Sequence, residues 1–144
     1  MFRFLKHYAM NELEKSGKMK TILLAISILL ISIHTIYFYH SIRPEFETKK
    51  IIQQIIRFSL TFALLYFVYV GKKWAKNISI ILFSIGLLGA IYAFSSNEEL
   101  PLILKTPFIV MTLVYSIAIY HFAFSKSFKA FFEYQNNKEI YKQH

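Results

Sequence analysis

Apolar residues in this chain come in long runs, broken by short charged stretches, rather than at the 3.6-residue spacing of a soluble amphipathic helix. Four runs reach the roughly 20 residues that a bilayer-crossing helix needs. They cover residues 21–40, 51–70, about 77–94 and about 102–124. The first and third hold no Lys, Arg or Glu, the second holds Arg57, and the fourth holds Lys105 near its start. Strands of a membrane barrel would instead alternate over about 10 residues. A helix satisfies its own backbone hydrogen bonds in lipid. The pattern therefore predicts an all-α, polytopic membrane protein: one four-helix bundle, with short amphipathic flanking helices at both ends. The first run follows a long basic leader and ends in Tyr37-Phe38-Tyr39-His40, without a small-residue cleavage site, so it reads as a retained helix.

The flanks carry helical patterning of their own. Phe2, Leu5, Ala9 and Leu13 recur on one face, and Ser16-Gly17 is expected to hinge that segment onto the first span. In the tail, Phe124, Phe128, Phe131 and Phe132 lie among Lys126 and Lys129. Two arrangements fit both flanks: helices lying in the headgroup layer, or extensions of the spans beyond the membrane.

Composition agrees with the pattern. Of 144 residues, 56% are hydrophobic and only 17% charged, with a mean hydropathy of +0.42. A soluble domain of this length cannot bury that much apolar surface. Cysteine is absent, which excludes disulfides and thiolate chemistry.

The net charge of +9 suggests nucleic acid until its placement is read. Arg3, Lys6, Lys15, Lys18, Lys20, Lys72, Lys73, Lys76, Lys126, Lys129, Lys138 and Lys142 fall on one side of the predicted spans. The other side holds Arg43, Lys49, Lys50, Arg57 and Lys105, with Glu45, Glu47, Glu98 and Glu99. By the positive-inside rule both termini are cytoplasmic, and the expected partner of the basic side is anionic lipid rather than nucleic acid. Trp74 and Tyr69 at one boundary, and Tyr37 and Tyr39 at the other, suit interfacial belts. The wealth of Ile, Lys, Phe, Tyr and Asn points to an AT-rich bacterial genome and so to an inner membrane.

Small residues mark where membrane helices pack closely. The third span offers Ser79, Gly86, Gly89, Ala90 and Ala93, and the second offers Ser59 and Ala63. Either stripe would serve a neighbouring helix of the same chain or another copy. Pro107 is expected to start or kink the fourth span.

Ionisable groups inside spans are functional candidates by default. Gln53, Arg57 and Thr61 follow each other at four-residue intervals, with Gln54 adjacent. Lys105, Thr112 and Ser116 share a face of the fourth span, and His34 joins them from the first. One reading is a basic polar cavity opening outward, able to hold an anion or a peptide group. The other is that Arg57 and Lys105 snorkel to headgroups while His34 bonds a neighbouring helix. His121, near the inner end, reads as interfacial. No haem pair at matched depth, zinc cluster or Gly-rich phosphate loop emerges, so no metal or cofactor is expected. Catalysis is not expected either, because no carboxylate lies within a span and the span serines lack a base. What fits is a non-catalytic membrane protein acting by binding, of accessory, regulatory or immunity type, with a homo-oligomer or another membrane protein as partner. The alternative is an oligomeric channel or uncoupled transporter for an anion or small polar solute.

Overall fold

In a computed structural model, residues 9–42 and 47–142 are described, apart from the side chains of Tyr39 and Ile42. They form five helices: α1 (Glu12–Ile42), α2 (Thr48–Tyr69), α3 (Lys73–Ser96), α4 (Leu102–Phe124) and α5 (Lys126–Lys142). α1 to α4 are long and apolar enough to cross a membrane. They alternate in direction and pack as a bundle. The start of α1, the α2–α3 turn and all of α5 lie at one end, called here the basic end.

α1 begins at a capping box. The Asn11 side chain accepts from the Glu14 backbone N–H, and Glu14 accepts from the Asn11 N–H, each at 2.8 Å. The helix then runs unbroken through Ser16 and Gly17. The expected hinge is therefore absent, and residues 9–11 are not helical; the rest of the expected N-terminal helix, residues 1–8, lies outside the described residues, as do Arg43 and Glu45. Gly17 has a different task. A Cβ there would collide with the Ser127 carbonyl oxygen and lie 2.9 Å from Phe131 Cβ. The bare backbone is what lets α5 cross α1.

α5 confirms a tail helix, but its apolar face is not left for lipid. Phe128, Phe131 and Phe132 are buried inside the protein. Phe128 stands 5.1 Å from the rings of both Phe122 and His121, and Phe131 stands 5.5 Å from Tyr69. The far half of α5 reaches the α2–α3 turn, where Gln135 donates to the Tyr69 carbonyl at 3.1 Å and Lys72 pairs with Glu139 at 2.5 Å. That turn is a Schellman closure: Gly71 N–H bonds Val68 O at 3.1 Å and Lys72 N–H bonds Phe67 O at 3.0 Å. Gly71 takes φ +93°, and a Cβ there would sit 2.8 Å from the Asn136 nitrogen. Only glycine meets both demands.

The core lies toward the basic end. Leu24 and Ile28 of α1, Leu65 and Val68 of α2, Ala75 and Phe83 of α3, and Ala118 and Phe122 of α4 form one cluster with Phe128 and Phe132. Beside it, buried Thr21 donates to Gly17 O at 2.7 Å. Its one hydrogen is then used, so at 2.9 Å it accepts from Nε2–H of His121. His121 is thus a buried core group, not the interfacial one expected.

α3 packs most extensively on α4, through small residues. Ser79 and Ala90 are buried, and a Cβ on Gly86 would meet the Tyr115 ring at 2.7 Å. Ala93 is half-buried, while a Cβ on Gly89 would meet nothing within 4 Å. Ser59 and Ala63 lie on the exposed side of α2. Pro107 is buried in the second turn of α4, inside the helix rather than at its start.

Candidate functional site

Beyond the core, toward the opposite end, α1, α2 and α4 leave a groove of about 110 Å3. Its walls are Ser32, Thr35 and Ile36 from α1, Gln54, Arg57, Phe58 and Thr61 from α2, and Met111 and Tyr115 from α4. The α2 contribution follows from helical geometry, since positions 54, 57, 58 and 61 share one face. One turn inward of Ser32 and Thr61 lie Ile28 and Leu65, both buried core residues, so apolar packing floors the groove.

The hydroxyls have a defined polarity. Ser32 donates to Ile28 O at 2.9 Å, Thr35 to Ile31 O at 2.8 Å, and Thr61 to Arg57 O at 2.9 Å. Each thereby uses its only hydrogen within its own helix and offers lone pairs to a ligand. The donors are different residues. The Gln54 carbonyl accepts from His40 Nε2–H at 2.9 Å, which fixes the amide and leaves its N–H groups as donors. Arg57 adds a guanidinium with no carboxylate in ion-pair range among the described residues. The groove therefore pairs a cationic fork and an amide with three hydroxyl acceptors. That set matches a peptide group, which brings an N–H for the hydroxyl oxygens and a C=O for Arg57 and Gln54, better than a simple halide.

The eight expected cavity residues divide sharply. Gln54, Arg57 and Thr61 come together. Gln53 and His34 are exposed, His34 with its ring 6.0 Å from that of Phe38. Lys105 turns back to the α3–α4 loop, where it donates to Glu98 O at 3.3 Å and stands 5.2 Å from the Phe94 ring. Thr112 and Ser116 bond to the Phe108 and Thr112 carbonyls of their own helix at 2.8 and 2.7 Å and do not line the groove.

Ser32, Thr35, Met111 and Tyr115 were not anticipated. The signal for the first two is the buried stripe Gly17, Thr21, Leu24, Ile28 and Ile31, which continues along α1 into Thr35. The signal for Tyr115 is Gly86, whose missing side chain makes room for a ring. An aromatic row joins the site to the basic end: Phe132 to Phe128 at 5.5 Å, Phe128 to Phe122 at 5.1 Å, Phe122 to Phe83 at 6.1 Å, and Phe83 to Tyr115 at 5.3 Å. Among the described residues no group of three His, Asp or Glu could hold a metal. No protein-family model, curated protein or solved structure matches the chain.

Proposed function

We propose that this protein is a non-catalytic, multi-pass membrane protein that acts by binding. Its partner is another membrane protein, which places a peptide group in the groove between α1, α2 and α4. Arg57 carries the reading. A charge on a spanning helix, in a groove with polar neighbours and no carboxylate in ion-pair range among the described residues, is retained at a cost that a bound group repays. Among the described residues the lining holds hydroxyls, an amide, a phenol and a guanidinium, and the one imidazole beside it, His40, is engaged with Gln54, which supports binding over catalysis. The lysines of the α2–α3 turn and of α5 support a cytoplasmic basic end, with the groove toward the other side. An accessory, regulatory or immunity-type role in a bacterial inner membrane suits such a protein. The competing reading, a channel for an anion or small polar solute, has less support: Ile28 and Leu65 close the groove inward, so a path would have to form between copies.

Mild detergent extraction followed by native mass spectrometry tests the proposal. The expected result is a stoichiometric membrane-protein partner that is lost from Arg57→Leu and kept by Lys105→Gln. A symmetric homo-oligomer unaffected by Arg57→Leu would replace this reading with the channel.

A further inference from the structure

The basic end carries a second and larger concavity. It measures about 600 Å3 and lies between the first turns of α3, the end of α4 and one face of α5. Lys73, Lys76, Lys126 and Lys129 line it against a single carboxylate, Glu133. None of these four ammonium groups forms an ion pair among the described residues, and the Lys72–Glu139 pair lies outside the cleft. Lys76 stands instead over the Phe132 ring, 5.4 Å from its centre. The arrangement is a cationic rim around an aromatic floor, since Phe128 and Phe132 beneath it are buried. Four like charges converging on one cavity repel each other unless an anion joins them.

The approach to the cleft tells which anion. Tyr120 and Phe124 follow each other on one face of α4, 64% and 73% exposed, and Phe124 also lines the cleft. An acyl chain lying along that face delivers its headgroup to the lysines. A water-soluble anion has no use for that apolar path. We propose that the cleft holds the phosphate headgroup of an anionic phospholipid from the leaflet at the basic end. This rests on the reading that α1 to α4 cross a bilayer.

The test uses the full chain in mild detergent, titrated with phosphatidylglycerol, phosphatidylcholine or soluble glycerol 3-phosphate and read by native mass spectrometry. One phosphatidylglycerol should be retained in preference to phosphatidylcholine. At about 5-fold per lysine, the double variant Lys76→Gln with Lys129→Gln should weaken it about 25-fold. The matched change outside the cleft, Lys138→Gln with Lys142→Gln, should cost less than about 3-fold because water and salt screen it. Glu133→Gln should strengthen binding about 5-fold. Equal losses in the two double variants, or equal retention of phosphatidylcholine, would overturn the site. Capture of glycerol 3-phosphate with no lipid retained would overturn the lipid assignment. The bilayer reading fails by a separate sign, recovery of the protein from the soluble fraction without detergent.

Discussion

At the basic end α1 buries Gly17, Thr21, Leu24, Ile28 and Ile31, one continuous stripe. Past Ile31, toward the opposite end, none of the described side chains on the same helix is buried. α2 behaves alike, burying Leu65 and Val68 near its end and nothing near its start. The helices are the same; what differs is a fifth element. α5 crosses the basic end and draws α1, α2 and α4 together over phenylalanine rings. Among the described residues no helix crosses the other end, and Ser32, Thr35 and Thr61 stand where bulky apolar groups would be needed to close it. The groove therefore exists because closure is local. One end supplies stability, which frees the other to keep polar groups that packing would exclude.

Three sets of variants test that division. The largest effect is expected at Gly17. In Gly17→Leu the new side chain meets backbone of α5, which cannot yield as a flexible side chain would, so α5 undocks. Destabilisation above about 4 kcal/mol is expected, seen as a collapse of the thermal midpoint in detergent and rapid proteolysis of α5. An unchanged midpoint would break the comparison. Phe131→Ala comes next. The ring is fully buried, and its loss should cost about 3 kcal/mol in the same assay. The smallest effect sharpens the contrast by pairing like substitutions at the two ends. Thr21→Val strips His121 of a buried acceptor and should cost about 1–2 kcal/mol. Thr35→Val at the groove should stay within about 0.5 kcal/mol. Equal costs for the pair would mean that the two ends are equally packed.

Much of this architecture is written in local patterns. The four long helices follow from apolar length, and α4 occupies 102–124 as its run predicts. α1 was harder because two signals competed. Ser16-Gly17 resembles a break, while Asn11 and Glu14, three apart, announce a start. The capping box prevails because it satisfies two backbone donors, whereas glycine inside a helix costs only about 1 kcal/mol and is offset by close contact. The tail phenylalanines were legible as an apolar face, but amphipathicity does not say whether lipid or protein covers it. The same limit governs the groove. Gln54, Arg57 and Thr61 share one helix, so their spacing reveals them. Ser32 and Tyr115 depend on how α1 and α4 rotate against α2, which no single-helix period encodes. Lys105 was visible as a charge, but its reach back to Glu98 was not.

The length of α1 has a consequence for how the chain is made. Its 31 residues extend about 46 Å, against about 30 Å of bilayer hydrocarbon. The surplus at the basic end is the segment that α5 clasps through Gly17. α1 is synthesised first among these helices and α5 last, so that clasp waits until the rest of the bundle has been translated. Until then Gly17 and the Phe122 ring lack the cover that Ser127, Phe131 and Phe128 give them. The clasp is thus the last contact of the described bundle that synthesis makes possible.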